Sequence, residues 1–237
     1  MIDQDTFSYV GQELETFAHA SHWKAYWISC IRRWIKGDVL EVGAGLGVNT
    51  KALQNSDVAS WHCLEPDPDL AARLAKSVAT LRNCSVRPGT TASVAGCEFD
   101  SILYIDVLEH IEGDREELAR AAKLLRIGGH LIVLSPAHQF LYSKFDAAIG
   151  HYRRYDKASL RRCAPPDCET ESMFYLDCLG ISMSLANRLI LGQGNPTVSL
   201  IKAWDNYIVP ISRVFDRVFG YSIGKTIVGV WRRLPQA

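Results

Sequence analysis

Three glycines and a later acidic residue form the part of the sequence whose chemistry is clearest. Gly43, Gly45 and Gly47 follow an apolar run that ends at Val42, and a second apolar run stops at Glu65. Glycine backbone lets a nucleotide-like ligand approach closely, and a carboxylate about 20 residues further on can accept hydrogen bonds from ribose hydroxyls. This layout predicts a site for an adenosine-containing cofactor.

The third glycine indicates which kind of cofactor is expected. A dinucleotide fingerprint would place glycines at positions 43, 45 and 48, where the third allows a helix to pack closely on a strand. Val48 occupies that position here, and the third glycine is Gly47. The spacing disfavours a nicotinamide or flavin dinucleotide, which stays open as an alternative beside a purely structural glycine turn.

Histidines supply the candidates for proton transfer. His110, His138 and His151 follow predicted strands at the end where ligands bind, and histidine is the natural general base near neutral pH. We rank His151 and His110 as catalytic candidates ahead of His138. His110 and Asp106 would both face the pocket if a helical turn begins at Asp106. A structural hydrogen bond from His110 to a neighbouring loop is the alternative.

The segment around His151 also concentrates polar side chains that could bind a substrate. Arg153 and Arg154 could hold a carboxylate or phosphate in a fork geometry, which predicts an anionic substrate or carrier group. The alternative is a solvated loop in which one arginine pairs with Asp146 or Asp156. The residues assigned to substrate binding are His138, Tyr142, Arg153, Arg154 and Tyr155.

The elements that must position these groups alternate between strands and helices. Such alternation predicts an α/β fold with a doubly wound, mostly parallel sheet and helices on both faces. Asp67 caps one helix, and Asp114 caps another that runs through Arg126 and ends at Gly128-Gly129. Ligands in such sheets bind beyond the carboxyl ends of the strands. The predicted strands are one ending at the glycine turn, then 61–65, 84–87, 99–106, 130–135, a sixth near 173–177 and a last near 224–231.

Two segments depart from regular alternation. Only a short stretch separates the third and fourth strands, so one crossover helix is missing or vestigial. Residues 178–220 form a predicted helical insertion, in which Pro196 opens an apolar stripe at helical spacing and Pro210 is expected to kink it. Core packing or a homodimer interface is the default role, and a lid over an apolar substrate or contact with a membrane surface are alternatives. The stripe consists of Ile201, Trp204, Ile208, Ile211, Phe215 and Val218.

Length and composition agree with a single domain over 1–237, in which residues 1–36 form a helical cover with a helix near 12–35. The chain has 237 residues and no net charge, so no overall field attracts nucleic acid. Seven cysteines without a C-x-x-C pair predict reduced thiols, and no metal site is expected. Without a signal peptide or an uncharged apolar run of about 20 residues, we expect a cytoplasmic protein with no transmembrane segment.

Four segments in the same order give the chain a family resemblance. The segments Leu40-Glu-Val-Gly-Ala-Gly-Leu-Gly47, Leu64-Glu-Pro-Asp67, 104–111 and 125–136 resemble those of bacterial class I S-adenosylmethionine (SAM)-dependent methyltransferases that modify small molecules. The similarity covers about 39–155. It implies a Rossmann-like sheet of seven strands with an antiparallel last strand, SAM as cofactor, and in-line methyl transfer. The family's substrates vary too widely to be implied, and we expect a small metabolite or a lipid- or sugar-linked intermediate as the acceptor. An NAD(P)-dependent oxidoreductase and a non-catalytic SAM-fold binding protein stay open as alternatives.

The resemblance also assigns residues to the cofactor. It places Gly43 to Gly45 against the methionine and ribose portions and Glu65 on the ribose hydroxyls. Pro66 would flank the adenine. Thr90 and Thr91 would contact the adenine edge, although turn chemistry alone also explains two threonines there. The complete set of implied cofactor residues is Glu41, Gly43, Ala44, Gly45, Glu65, Pro66, Thr90, Thr91, Asp106, Val107 and His110.

Overall fold

A seven-stranded sheet organises the chain, and the computed structural model describes residues 13–186 and 197–235. The strands are β1 (Gly37–Val42), β2 (Val58–Glu65), β3 (Cys84–Pro88), β4 (Phe99–Ile105), β5 (Leu125–Pro136), β6 (Cys168–Leu176) and β7 (Thr226–Arg233). They lie in the order β3-β2-β1-β4-β5-β7-β6, and β7 runs antiparallel to both β5 and β6. The first five strands pair in parallel. The predicted mostly parallel sheet with an antiparallel last strand is confirmed.

Helices connect the strands and cover the sheet. They are α1 (Glu13–Phe17), α2 (Ser21–Ile31), α3 (Val48–Leu53), α4 (Pro68–Val78), α5 (Asp114–Lys123), α6 (Lys144–Ala148), α7 (Lys157–Arg161), α8 (Cys178–Ala186), α9 (Val198–Ala203) and α10 (Val209–Val218). One hydrophobic cluster includes Trp27 and Ile31 of α2, and a second includes Leu118 and Ala121 of α5. A parallel sheet covered on both faces needs apolar strands, and the central strands are almost entirely buried. None of the described helices is long and apolar enough to cross a membrane.

The segment after β2 begins its helix as the sequence predicts. The carboxylate of Asp67 accepts hydrogen bonds from the backbone N–H groups of Asp69 and Leu70, at 2.8 and 2.9 Å. Pro68 occupies the first turn of α4, where its missing N–H leaves no bond unmade. The reduced crossover is also confirmed, because only a short 3-10 turn over Thr91–Val94 separates β3 from β4.

The boundary between α5 and β5 differs from the prediction. The helix ends at Lys123, and the prediction that it continues through Arg126 to a glycine stop is wrong. Leu125 already pairs with Phe99 of β4, so the backbone must leave the helix before that residue. Gly128 and Gly129 lie inside the long strand β5. The N-cap is also one residue earlier than predicted, at Gly113.

The N-terminal cover is two helices joined by a turn. The predicted continuous helix near 12–35 is divided into α1 and α2, with a 3-10 turn over Arg32–Trp34 after them. Residues 1–12 of the predicted cover lie outside the described residues. Leu14 of α1 reaches the glycine loop, where its Cδ1 would lie 3.6 Å from a Cβ added at Gly45. The cover therefore borders the candidate cofactor loop.

The described parts of the insertion before β7, 178–186 and 197–220, are mainly helical, as expected, and Pro196 lies outside the described residues. A π-helical turn over Trp204–Ile208 joins α9 to α10, so the irregularity comes just before Pro210, in the first turn of α10. The predicted apolar stripe divides into two parts. Ile201 and Trp204 are buried in the core, whereas the stripe's members on α10 are exposed. The buried face of α10 instead carries Val209, Ser212 and Asp216.

Candidate active site

The glycine loop after β1 has a backbone that favours glycine at three positions. Gly43, Gly45 and Gly47 have φ angles of 67°, 54° and 73°, in the left-handed region that side chains rarely adopt. A Cβ at Gly43 would lie 2.7 Å from the Val107 side chain, and a Cβ at Gly47 would lie 2.7 Å from Leu74. Two of the glycines are therefore required by packing as well as by φ. Gly45 is the roomier position.

Glu65 lies at the end of β2 against this loop. Its Oε2 accepts the backbone N–H of Gly45 at 2.8 Å, and its Oε1 accepts that of Asp67 at 3.1 Å. The residue is only 4% exposed, and burial raises the pKa of the carboxyl group. Within 13–186 and 197–235, no lysine, arginine or histidine forms an ion pair with it. A buried carboxylate with neutral partners can accept further hydroxyl donors.

Glu41 connects the elements beneath the glycine loop. Its Oε2 accepts hydrogen bonds from the Thr50 hydroxyl at 2.6 Å and from the indole N–H of Trp61 at 2.9 Å. These bonds join β1 to α3 and β2. Burial raises the pKa of Glu41 to about 7, a shift that the two hydrogen bonds oppose. The side chain of Glu41 is thus part of the buried core beneath the glycine loop.

The other residues assigned to the cofactor occupy two different environments. Pro66 is half-buried beside Glu65, and Ala44 is buried in the loop. Thr90 is exposed, whereas Thr91 is buried and donates its hydroxyl to Glu117 Oε1 at 2.9 Å. The side chain of Thr91 is thus directed into the contact between the β3–β4 connection and α5.

The residues after β4 lie close to the glycine loop. Asp106 is exposed and has a φ of 54°, an uncommon conformation for a residue other than glycine. Val107 packs against Gly43, and a short 3-10 turn over Leu108–His110 follows. Asp106, Val107 and His110 therefore lie beyond the carboxyl end of β4, at the edge of the sheet where ligands bind in folds of this kind.

A carboxylate and two histidines meet at this edge. The rings of His110 and His151 pack edge to face with centroids 4.5 Å apart. Burial and the neighbouring His151 lower the pKa of His110 to about 4, while a backbone hydrogen bond with Gly150 opposes the shift. Glu109 is fully buried; its Oε2 accepts the Ser135 hydroxyl at 2.8 Å, and its Oε1 lies 3.9 Å from His151 Nε2. Burial and the charge of Asp106 raise the pKa of Glu109 well above its usual range.

Asp146 holds His151 and Arg154 in place. Its Oδ1 lies 3.0 Å from His151 Nδ1, and the carboxylate also accepts the Nε and a terminal nitrogen of Arg154, at 2.8 and 3.0 Å. The backbone N–H and hydroxyl of Ser143 donate to its Oδ2. These donors, His151 first, keep the pKa of Asp146 below its usual range although burial opposes them. Arg154 thus forms the ion pair with Asp146 that was the alternative to substrate binding.

The remaining substrate-binding candidates also have partners within the protein. Arg153 forms an ion pair with Asp114 at 2.6 Å, and the Tyr155 hydroxyl donates to the same carboxylate at 2.8 Å. The Tyr142 hydroxyl donates to the backbone oxygen of His151 at 2.6 Å. His138 has a φ of 65°, and its ring stacks on those of Phe140 and Tyr175.

Sequence reasoning missed several buried polar residues of this edge. Glu109 carried a signal, because an acidic residue directly before His110 interrupts an otherwise apolar turn. Asp177 and Lys225 follow β6 and precede β7, and they pair at 3.4 Å. Asp177 also accepts the indole N–H of Trp204 at 3.0 Å. These bonds attach the insertion to the same edge of the sheet, and nothing in the local sequence pattern indicated them.

The comparisons with known proteins agree with this geometry. Residues 40–131 match a family model described as a methyltransferase domain. The match includes the glycine loop, Glu65 and the turn at His110, and it ends before His151. No curated protein sequence matches the chain.

Solved structures with low sequence identity share the fold. The N-methyltransferase NodS from Bradyrhizobium japonicum has 14% identity and a TM-score of 0.57, covering 94% of this chain and 99% of that one. Coclaurine N-methyltransferase bound to N-methylheliamine and SAH has 14% identity and a TM-score of 0.61, covering 90% of this chain and 72% of that one. The cyclase SpnF has 13% identity and a TM-score of 0.58, covering 89% of this chain and 80% of that one.

The chain therefore has the Rossmann-like fold of class I methyltransferases, and the family-model match supports a methyltransferase. The presence of a cyclase among the similar structures means that the reaction has to be argued from the site.

Proposed function

We propose that the chain is a SAM-dependent methyltransferase that transfers a methyl group to a small metabolite or to a lipid- or sugar-linked intermediate. The observation that carries the proposal is the position of Glu65. Its buried carboxylate ends β2 and accepts the Gly45 N–H at 2.8 Å. An acidic residue and a glycine loop meet at the ligand-binding edge, as an adenosine cofactor requires.

The residues of the loop fit such a cofactor. Each oxygen of Glu65 accepts one backbone N–H and retains a lone pair that a ribose hydroxyl could use. Among the described residues, only the Leu14 side chain lies within 4 Å of a Cβ built at Gly45, which supports close contact between ligand and backbone. When bound, SAM supplies an activated methyl group on its sulfonium. Glu65 and the loop from Gly43 to Gly45 would hold the cofactor.

The chain's own contribution to an in-line displacement is alignment of the acceptor and exclusion of water. A base is needed only when the acceptor carries a proton that must leave. The Nδ1 of His151 faces Asp146, which favours a tautomer with an unprotonated Nε2 on the side of Glu109. We therefore propose His151, with His110 beside it, as the groups that handle this proton.

An anionic acceptor or carrier group is part of the proposal. A cavity of about 430 Å³ beside α5 and α7 is lined by Arg115, Arg153, Arg154 and Arg162. Asp114 and Asp156 also line it, so the cavity could bind a group that has hydroxyls as well as negative charge. We propose that His138, Tyr142 and Tyr155 help to shape the acceptor side of the pocket.

Calorimetry with purified protein tests the cofactor. We expect the parent chain to bind SAM and S-adenosylhomocysteine and not NADH. Glu65→Ala should weaken SAM binding by about 1.5–3 kcal/mol, or roughly 10- to 150-fold, because hydrogen bonds to a charged group are lost. Asp69→Ala removes an exposed carboxylate from the first turn of α4 and is the matched control. An unchanged SAM affinity in folded Glu65→Ala would remove the assignment, and binding of NADH in place of SAM would favour the oxidoreductase alternative.

A further inference from the structure

We propose that Glu109, His110 and His151 form a binding site for one divalent transition-metal ion of the Zn²⁺ type. Each residue directs one potential ligand atom into the cluster, and these atoms all lie within 4.8 Å of one another. Two imidazoles and one carboxylate with an open position suit Zn²⁺ or Fe²⁺, whereas Mg²⁺ and Ca²⁺ prefer oxygen ligands alone. The scattered cysteines predict no metal site, and this cluster differs in offering a carboxylate and two imidazoles as ligands.

The unpaired oxygen of Glu109 is the first observation that points to a cation. Glu109 is 0% exposed, and its Oε1 has no hydrogen-bond partner among the residues that the structure describes. His151 Nε2 lies 3.9 Å from this oxygen, which is too far for a hydrogen bond. A buried polar atom without a partner costs roughly 1–3 kcal/mol, more when charged. A cation between the two atoms would satisfy both.

The hydrogen bonds behind the three residues are the second observation. Residues that ligate metals usually bind a carboxylate or a backbone carbonyl through their other polar atom, which fixes the ring orientation. His151 Nδ1 meets Asp146 at 3.0 Å, and Glu109 Oε2 accepts the Ser135 hydroxyl at 2.8 Å. His110 has a hydrogen bond with the backbone of Gly150. All three candidates therefore already have the supporting contact that a metal ligand requires.

The distances allow an ion after a small adjustment. With metal–ligand bonds of about 2.1 Å, tetrahedral ligand atoms lie about 3.4 Å apart. The cluster would have to contract by about 0.5 Å between Glu109 and His151, starting from their 3.9 Å separation. The widest pair, at no more than 4.8 Å, would close by at most about 1.4 Å.

The ion would act on the acceptor of the proposed methyl transfer, and this part of the inference rests on the proposed function. Val107 contacts Gly43, so the cluster adjoins the cofactor loop through the turn that contains Glu109. A cation there would lower the pKa of a bound hydroxyl acceptor, so that the hydroxyl gives its proton to solvent water and its oxygen then takes the methyl group from the sulfonium, leaving S-adenosylhomocysteine. With the ion bound, His110 and His151 would be its ligands, and this role replaces the proton transfer proposed for them in its absence. The substrate class that follows is a molecule with an ionisable hydroxyl, which loses its proton as the oxygen is methylated.

Metal titration of the full chain, stripped with a chelator, tests binding without an assay of activity. We expect one equivalent of Zn²⁺ by calorimetry and a Co²⁺ visible spectrum typical of nitrogen and oxygen ligands. Glu109→Gln and His151→Gln should each weaken Zn²⁺ binding at least about 10-fold, and Asp146→Asn about 10- to 100-fold. His19→Ala, at an exposed histidine outside the cluster, should bind Zn²⁺ as the parent does.

The outcomes separate this inference from the proposed function. Unchanged Zn²⁺ affinity in Glu109→Gln and His151→Gln, absence of binding by the parent, or a Co²⁺ spectrum with thiolate charge-transfer bands would each overturn the metal site. Zn²⁺ should also raise the melting temperature of the parent and not of Glu109→Gln, which remains measurable if a variant is less stable. Glu65→Ala should lose SAM affinity and keep Zn²⁺ affinity. If the parent chain binds Zn²⁺ but not SAM, the proposed methyltransferase function is contradicted and the metal site is not.

Discussion

Replacing Glu41 with glutamine should change how the stability of the protein depends on pH. The carboxylate is 2% exposed and accepts hydrogen bonds from Thr50 and Trp61. Burial raises its pKa from 4.5 to about 7. The folded chain therefore holds this proton more tightly than the unfolded chain. The stabilisation is fully present below pH 4.5 and is lost as the pH rises through the folded pKa of about 7.

The size of the effect follows from the two pKa values. A difference of about 2.5 units, at about 1.36 kcal/mol each, lowers the unfolding free energy by about 3.4 kcal/mol well above pH 7, relative to its value below pH 4.5. Between about pH 5 and pH 8, the same two values give a loss of about 2.5 kcal/mol from this group. Glu41→Gln keeps an oxygen for both hydrogen bonds and removes the titration. The variant should therefore become more stable relative to the parent as the pH rises.

Urea unfolding followed by tryptophan fluorescence, at several values between about pH 5 and pH 8, measures this difference. Other titrating groups are common to both proteins and cancel in the comparison. Glu98→Gln alters an exposed glutamate and should give a curve parallel to that of the parent. If the difference between Glu41→Gln and the parent stays constant across this range, the reasoning from burial is refuted. SAM affinity of the same variant would show whether Glu41 also contacts the cofactor.

Three further sets of variants have defined expectations. Gly45→Val places a side chain at a φ of 54° beside Leu14 and should reduce SAM affinity at least about 10-fold in calorimetry, whereas Gly96→Ala, at an open turn, should bind SAM normally. Asp146→Ala should lower the unfolding free energy by about 3–5 kcal/mol, since it leaves the mostly buried Arg154 unpaired. The folded pKa of Asp146 is lowered, so its contribution to stability is present above about pH 4 and is lost on acidification. Unfolding measurements on the parent and the variant at decreasing pH check this. Val218→Lys, at a side chain that is 72% exposed, should change the unfolding free energy by no more than about 0.5 kcal/mol. Asp216→Ala, on the buried face of α10, should be clearly destabilising. Equal effects of the two substitutions would contradict the assignment of this polar face of α10 to the core.

The parts of the fold that were predictable depend on local patterns. The glycine loop, the strand ending at Glu65 and the cap at Asp67 are each specified within a few residues of sequence. The end of α5 was mispredicted because two glycines resemble a helix stop. The pairing of Leu125 with Phe99, from another strand, decides that boundary.

The acceptor side of the site was less predictable, for a related reason. His110 and His151 could be selected by residue type, but their contact depends on how the segment after β5 returns to the sheet. The burial of Glu109 involves Ser135 of β5 and His151 of the following segment, which lie far from it in the sequence. Arg154 pairs with Asp146, eight residues earlier in the sequence, and no helical or strand periodicity predicts this contact.

The orientation of α10 has a consequence for how folded molecules behave towards one another. Asp216 accepts the Tyr26 hydroxyl at 2.7 Å and the backbone N–H groups of Asp177 and Cys178 at 2.7 and 2.9 Å. Rotating the helix to hide Val214 and Val218 would break these bonds. The exposed apolar face of α10, which carries Val214 and Val218, is therefore part of the native surface. Self-association through this face would involve folded molecules, so its rate would depend on protein concentration and not on the fraction of unfolded protein.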